Sequence, residues 1–493
     1  MKKLFSLILV LAMISTISAC SEKETDVKDE NKVVSISSAE FSYQMITTYA
    51  NLCSLVKSYE QNYGYSPLGF DPDISPEKQK YSDEESSEET NSEYNTWLDY
   101  IIDTAYCGIQ ERKAICAQAE KEGYKLDSEG EKKIDNLIND MTETYHLDDK
   151  GVNIDFFLKQ SYGEEMTSEL FRQIQREAVI AEEYEAYKTK LYYNSYTSED
   201  LRKIYEKDTE DYGTVGIAVY PIEYTAKNKD NAKNNAENLL SEMTDPESVR
   251  RIINTAENKK AKLYSAALGS DLDFYDSTEK FKNWAFNSQR KVGDKKIVEG
   301  DNAFYAVYLT KTVYDTYAYN SRHILLALDD KKEATAESWK SLLSKAEKIL
   351  DEWNSGKADE ESFADLAKKY SEDTGSNTNG GLYENTRPDF FVKEYESWCL
   401  DSKRKYGDVG IVKVDGTRYK GYHIIFFISK NETPVWENQL RTAKSTEDYQ
   451  KFSLKIFSNE CSKYTIDNTL LNSCIKNSIE RINTIIKQNT TEK

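Results

Sequence analysis

Two of the three histidines in the chain lie in segments that are otherwise almost entirely apolar. His323 follows Arg322 in a run that ends at Leu328, and His423 is the one residue of 422–428 that is not apolar. Apolar runs of this length are typical of buried strands. Neutral imidazole both donates and accepts a hydrogen bond and titrates near pH 7. Each histidine therefore suits either a structural hydrogen bond or a catalytic site.

The segment 317–431 contains the elements that must position the two histidines. Apolar residues recur every three or four positions from Ala336 to Trp353, which predicts a helix that Gly356 can end. A second helix carries Phe363, Leu366, Ala367 and Tyr370. The last strand is apolar on both faces, so we expect it in the middle of a sheet with helices on both sides.

Strand alternation assigns each histidine to one face of this sheet. His323 shares its face with Leu325 and Ala327, and His423 shares its face with Ile425 and Phe427. No cysteine or histidine spacing in the chain matches a zinc site, so neither a metal nor a cofactor is expected.

The segment is also the second copy of an internal repeat. WAFNSQRKVGDKKIV at 284–298 and WCLDSKRKYGDVGIV at 398–412 share eight of fifteen residues. Two further matches keep the same order: YSAALGS at 264–270 with YSEDTGS at 370–376, and AFYAVYLTK at 303–311 with YHIIFFISK at 422–430. The repeat predicts two modules, 213–314 and 317–431, each built as strand, helix, helix, loop, helix, strand, strand.

The second copy resembles a parvulin-type peptidyl-prolyl cis/trans isomerase domain. Five strings in family order carry the resemblance: SRHIL at 321–325, FADLAKKYSED at 363–373, GG at 380–381, YGD at 406–408 and GYHII at 421–425. The flanking segments look like those of extracytoplasmic foldases of the PrsA and SurA type. The resemblance implies an α+β protein, with an all-α chaperone body and two parvulin-like modules, each a small mixed or antiparallel sheet covered by helices.

The resemblance also implies an active site. It places His323 and His423 on neighbouring strands, hydrogen-bonded to each other, and Asp373 facing the carbonyl of the substrate. The family's apolar seat for the proline ring falls on Phe391 and Tyr395, with Leu400 behind. Two departures are visible: Tyr395 adds a hydroxyl to the seat, and Leu382-Tyr383 follows Gly380-Gly381 where the family usually shows GGDLG.

Prolyl isomerisation needs no covalent step. Twisting an X–Pro amide has a barrier of ~18–20 kcal/mol because resonance is lost, and uncatalysed exchange takes on the order of tens to hundreds of seconds. A catalyst needs an apolar seat for the ring and polar groups complementary to the twisted amide.

The first copy is expected to be inactive. Its counterparts of His323, Asp373 and His423 are Pro221, Ala267 and Phe304, so every polar position of the site is lost. We expect this module to serve binding or spacing.

Helical periodicity dominates the rest of the chain. Residues 35–208 predict an all-α domain, and 435–493 a helical segment that returns to pack on it. Its apolar face carries Leu471, Ile475, Ile479, Ile482 and Ile486.

Residues 1–20 resemble a bacterial lipoprotein leader. Lys2 and Lys3 precede an apolar stretch too short to span a bilayer, and Ile17-Ser18-Ala19-Cys20 resembles a lipobox. We expect cleavage after residue 19, acylation of Cys20 and a polar tether over 20–34, which would hold the protein on the extracytoplasmic face of the cell membrane. The other six cysteines permit fifteen disulfide pairings or none, so no pairing is predicted.

Charge narrows the partners. The 493 residues carry a net charge of −21, and removal of Lys2 and Lys3 with the leader makes it −23, which argues against a nucleic-acid partner. The expected partners are unfolded exported polypeptides with X–Pro bonds, and the expected function is a lipid-anchored prolyl isomerase and foldase. Two alternatives are a holdase chaperone with little activity and the solute-binding lipoprotein of a transporter, which the repeat argues against.

Overall fold

The described residues form an α+β protein with two units, which confirms the expected fold class. The computed structural model of the chain describes residues 33–491 except 82–93, 146, 148–150, 277, 330–331 and 417–418. One unit combines the described residues of 1–195 and 444–493, and the other spans Tyr196–Ala443. The leader and Cys20 lie outside the described residues. None of the described helices is long and apolar enough to cross a membrane.

Helices build the N-terminal part of the first unit. The short strand β1 (Val34–Ser35) comes first. The helices are α1 (Ser38–Tyr63), α2 (Trp97–Lys121), α3 (Ser128–Thr144), α4 (Ile154–Tyr162) and α5 (Ser168–Ser195). Polar caps fix where they begin: the Ser37 side chain accepts the N–H of Glu40, and Thr96 and Asp99 form a capping box. All of these helices lie within residues 35–208, for which helical periodicity predicted an all-α domain.

The second unit contains the two modules. After α6 (Ser198–Tyr205) and α7 (Thr209–Tyr212), the first consists of β2 (Thr214–Glu223), α8 (Lys229–Glu242), α9 (Pro246–Asn254), β3 (Lys262–Leu268), α10 (Thr278–Ala285), β4 (Lys295–Glu299) and β5 (Ala303–Lys311). The second consists of β6 (Tyr319–Ala327), α11 (Ala336–Ser355), α12 (Glu360–Tyr370), β7 (Leu382–Thr386), α13 (Lys393–Cys399), β8 (Val409–Asp415) and β9 (Lys420–Lys430).

Both modules have the same antiparallel sheet. The strand orders are β3-β2-β5-β4 and β7-β6-β9-β8, and every neighbouring pair is antiparallel. The expected order of elements was wrong at one point, because each module has a strand, β3 or β7, where a loop was predicted. Edge pairing with β2 or β6 makes these short segments strands, which periodicity alone does not indicate.

Two residues of α6 pack inside the second unit, although the sequence placed this helix in the N-terminal domain. Leu201 and Tyr205 form a cluster with Trp436 and Leu440, and the rings of Tyr205 and Trp436 stack with centroids 4.2 Å apart.

The C-terminal segment consists of α14 (Val435–Glu460), β10 (Tyr464–Thr465) and α15 (Asn468–Thr491). In the first unit α15 packs against α1, and Ile482 and Ile486 join the core formed by α1 and α2. β10 pairs with β1 in parallel. This segment therefore completes the helical unit.

Helices cover both faces of the second module's sheet. On one face Ile324, Leu326 and Phe426 pack under α11 and α12. On the other, Ile425 and Phe427 pack under α13. β9 is an inner strand buried on both sides, as its apolar sequence predicted. The two histidines lie on the α13 face.

Candidate active site

His323 and His423 lie side by side on neighbouring strands. In the β6–β9 register His323 is opposite Ile425 and Leu325 is opposite His423, so the histidines are diagonal neighbours on one face. Their Nδ1 atoms are 2.9 Å apart, and their rings lie nearly parallel at 15°. Each residue is only 2% exposed. The structure thus brings together the two histidines that the family resemblance placed on neighbouring strands.

Polar side chains hold the outer nitrogens of the pair. His323 Nε2 lies 2.9 Å from Asp373 Oδ2, and His423 Nε2 lies 2.8 Å from the hydroxyl of Tyr419. The hydroxyls of Ser376 and Tyr383 also donate to Asp373 Oδ2, at 2.6 and 3.0 Å. The result is a continuous chain from Tyr419 through both imidazoles to Asp373.

The charge of Asp373 sets the direction of the hydrogen bond that it makes with His323. Hydrogen bonds from His323, Ser376 and Tyr383 hold the pKa of Asp373 well below its usual range, so it is an ionised acceptor. His323 therefore donates to it through Nε2, and with both rings neutral its Nδ1 accepts from His423, whose Nε2 accepts from Tyr419. Burial and the neighbouring His323 lower the pKa of His423 to about 3, which keeps it neutral.

Two glycines let the loop that carries Asp373 approach β6 closely. Gly380 and Gly381 have φ of 74° and 71°. A Cβ at Gly381 would lie 2.1 Å from the carbonyl oxygen of His323, and the Gly381 carbonyl accepts the His323 N–H at 2.8 Å. Only glycine satisfies both the left-handed backbone and this contact.

An aromatic cluster adjoins the network. Phe391 and Tyr395 stack with centroids 4.2 Å apart, and the Phe391 ring lies 5.6 Å from that of His323 and 4.8 Å from that of Tyr383. Tyr395 is fully buried beneath Phe391, and Leu400 belongs to the same cluster. Phe390 is 59% exposed beside them.

The hydroxyl of Tyr395 does not disturb this cluster. It lies 2.9 Å from the hydroxyl of Ser321, which is also buried, so each hydroxyl has a partner where α13 packs on the sheet. Tyr395, which departs from the family pattern by adding a hydroxyl, is therefore accommodated by a local hydrogen bond.

Sequence reasoning missed four members of the site: Ser321, Ser376, Tyr383 and Tyr419. Tyr383 had been noted only as a departure from the family loop, yet its hydroxyl supplies a bond to Asp373. Ser376 and Tyr419 lie in connections whose path no periodicity predicts. Tyr419 stands four residues before His423, a spacing that carries no signal at the end of a strand.

In the first module Val219 and Tyr305 occupy the positions of the two histidines. Val298 is opposite Tyr305 as Val412 is opposite His423. The expected counterpart Phe304 was wrong by one residue, because the repeat was aligned on sequence and not on strand pairing.

The same register corrects the other two counterparts. Val219 is opposite Val307, as His323 is opposite Ile425, so Pro221 lies two residues too far along β2. Ala267 is opposite Val215 in β3 and corresponds to Thr386 in β7, not to Asp373. The first module nevertheless has no imidazole at either histidine position.

Comparison with known proteins relates the second module to a family. Residues 307–431 match the model of the PPIC-type PPIASE domain. Foldase protein PrsA 1 of Listeria innocua is 36% identical over 137 residues, which are 27% of this chain and 39% of the relative. Foldase protein PrsA 4 of Bacillus cereus is 32% identical over 123 residues, which are 25% of this chain and 41% of the relative. The chain thus spans about two fifths of the length of these curated relatives.

Solved structures give weaker likenesses. A peptidylprolyl isomerase PrsA of Bacillus anthracis is 18% identical with a TM-score of 0.20, covering 54% of this chain and 100% of that one. A SurA-like chaperone of Campylobacter jejuni is 16% identical with a TM-score of 0.19, covering 62% and 89%. These scores are too low to relate the whole folds. The family match lies over the second module, and the related foldases match the chain over 25–27% of its length.

Proposed function

We propose that the second module catalyses cis/trans isomerisation of X–Pro bonds in exported polypeptides as they fold. The observation that carries this proposal is an ionised carboxylate at the open end of a buried histidine pair, beside an aromatic cluster. The Asp373 side chain is 21% exposed, whereas that of His323 is 2% exposed. Of Asp373 and His323, Asp373 is therefore the residue that a bound peptide can reach.

Catalysis follows from the charge of Asp373. A planar amide places partial negative charge on its carbonyl oxygen through resonance, and twisting the bond removes that charge. A carboxylate beside the oxygen raises the energy of the planar forms more than that of the twisted form, so it lowers the barrier. Phe390 and Phe391 would receive the proline ring, with Tyr395 and Leu400 supporting them from behind.

The histidines act in this proposal as positioning residues. Both rings are buried, and each of their hydrogen bonds has a fixed donor and a fixed acceptor. His323 donates to Asp373, and His423 with Tyr419 fixes the tautomer of His323. Loss of either ring would leave Asp373 less well held and less well oriented.

The location of the protein is also a proposal. The lipobox-like segment supports acylation of Cys20 and anchoring on the extracytoplasmic face of the membrane, where unfolded exported chains would be the clients. Mass spectrometry of the mature N-terminus tests it. A diacylglyceryl mass on Cys20, absent after Cys20→Ser, is expected; an unmodified Cys20 would contradict it.

Two assays on the full chain test the function. The isomerisation rate of an X–Pro tetrapeptide and the suppression of aggregation of an unfolded client are compared for wild type, His323→Phe and a control, Lys369→Ala, which breaks an exposed ion pair with Glu352. Of these three proteins, we expect only His323→Phe to lose most of the isomerase rate, and we expect it still to suppress aggregation. A wild type that suppresses aggregation without any isomerase rate would instead support the holdase function.

A further inference from the structure

The loop between β7 and α13 forms part of the apolar cluster and is tied to the first module. Residues 387–392 carry Phe390 and Phe391, whose rings contact each other at 5.0 Å and Tyr383 at 5.8 and 4.8 Å. The position of this loop therefore sets the positions of the exposed Phe390 ring and the half-buried Phe391 ring.

Arg387 binds a carboxylate of the first module. Its guanidinium donates through both terminal nitrogens to Asp271, with Nη1 2.7 Å from Oδ2, and Nη1 also lies 3.3 Å from the carbonyl oxygen of Ala266. The Asp271 side chain is 15% exposed. A bidentate, partly buried ion pair of this kind is directional and stronger than an exposed ion pair.

Asp389 makes a second contact with the same module. Its carboxylate accepts the backbone N–H groups of Ser265 and Ala266, the latter at 2.8 Å, and the hydroxyl of Ser265. Asp389 has a φ of 70°, a left-handed conformation that is uncommon outside glycine. Two residues of one short loop thus both bind the edge strand β3 and the turn after it.

A bulge in the first module provides the donors for Asp389. Ser265 and Ala266 of β3 lie opposite the single residue Gly216 of β2. At the matching bulge of the second module, Asn320 occupies the place of Gly216, and its side chain accepts the N–H of Asn385 at 2.6 Å. The first module has no side chain at Gly216, and its bulge N–H groups bond to the other module.

We propose that the first module is a positioning element for the active site of the second, and that Asp271 and the β3 bulge hold the 387–392 loop through Arg387 and Asp389. This inference rests on the proposed isomerase function. It gives the module without histidines a part in the reaction: it orders the residues that receive the proline ring.

The test uses the full chain with Arg387→Ala, Asp271→Ala, the double variant, and Asp389→Gly, which removes the carboxylate but tolerates the left-handed backbone. Glu223→Ala is the control, because it breaks an exposed ion pair with Lys260 in the same module. We call the four chains in which Arg387, Asp271 or Asp389 is changed the clamp variants. We expect each clamp variant to raise KM for an X–Pro tetrapeptide about three- to tenfold with kcat changed by less than about twofold. The double variant should be no worse than either single one, because both remove one contact.

Hydrogen exchange of the loop provides a second readout that does not depend on catalysis. Faster deuterium uptake over residues 387–392 in the clamp variants, and not in Glu223→Ala, supports the proposal even if the wild type has no isomerase rate, in which case the proposed function alone fails. Unchanged uptake in this loop would overturn the proposal. Clamp variants that keep the wild-type KM in an active enzyme would also overturn it. The same holds if the KM increases of the two single variants multiply in the double variant.

Discussion

The Nδ1 atoms of His323 and His423 share one hydrogen bond, and their outer nitrogens bond to Asp373 and Tyr419. Because Asp373 only accepts, His323 donates to it, and with both rings neutral one proton arrangement satisfies the whole chain. Burial makes this arrangement rigid, since an imidazolium at His423 would be desolvated beside another ring. His423 is therefore a neutral support behind His323, which holds the charged carboxylate.

A neutral His423 predicts a pH dependence of stability. Its pKa is about 3 in the folded chain and about 6.5 when unfolded, so between these values the unfolded state binds more protons and stability falls as pH falls. Between pH 7 and 4.5 this contribution is about 2 kcal/mol. Urea denaturation should show that His423→Phe lacks this part of the acid dependence. An equally steep acid dependence in the variant would contradict the assignment.

Glu396 predicts a dependence of the opposite sign. It is buried in α13, its Oε1 accepts the N–H of Phe391 at 3.0 Å, and burial raises its pKa to about 7. The folded state then binds more protons than the unfolded state between about pH 4.5 and 7, so stability falls as pH rises.

The matched variant for this site is Glu396→Gln, which keeps an acceptor oxygen for Phe391. Its free energy of unfolding relative to wild type should improve by about 2 kcal/mol between pH 5 and pH 8, measured by urea denaturation. A difference that does not change with pH would show that Glu396 does not titrate in this range.

The buried hydroxyl pair of Ser321 and Tyr395 predicts non-additive stability effects. Tyr395→Phe or Ser321→Ala leaves one buried hydroxyl without its partner and should cost about 1–2 kcal/mol. The double variant removes both groups and should be no less stable than either single variant. Additive losses in chemical denaturation would mean that the hydroxyls do not depend on each other.

The first module should contribute no catalysis of its own. Val219 and Tyr305 stand where the second module has histidines. A full chain with both His323→Phe and His423→Phe should therefore isomerise an X–Pro tetrapeptide at close to the uncatalysed rate, with Lys369→Ala as an active control. Substantial remaining catalysis in a folded double variant would locate activity in the first module.

The sequence predicted the parts of the site that lie on regular strands. Period-two alternation and unbroken apolar runs assigned His323 and His423 each to one face of a buried strand, because a buried strand tolerates few polar residues. The family resemblance then placed the two histidines on neighbouring strands. The family strings added Asp373, which no periodicity would have selected.

The remaining parts depend on three-dimensional contacts. Ser376, Tyr383 and Tyr419 reach the network through loops and a short edge strand, where side-chain direction follows from tertiary packing. The counterparts in the first module were wrong for a related reason. The connection before β3 is shorter than the one before β7, so matching YSAALGS with YSEDTGS paired a strand with a loop.

The most direct test of the central claim is kcat/KM for an X–Pro tetrapeptide with the full chain before and after Asp373→Asn. The variant keeps the size and one oxygen of the side chain but removes the charge that the network orients. At pH 7 we predict a loss of about ten- to a hundredfold with the fold intact by circular dichroism. A variant as active as wild type would contradict the account.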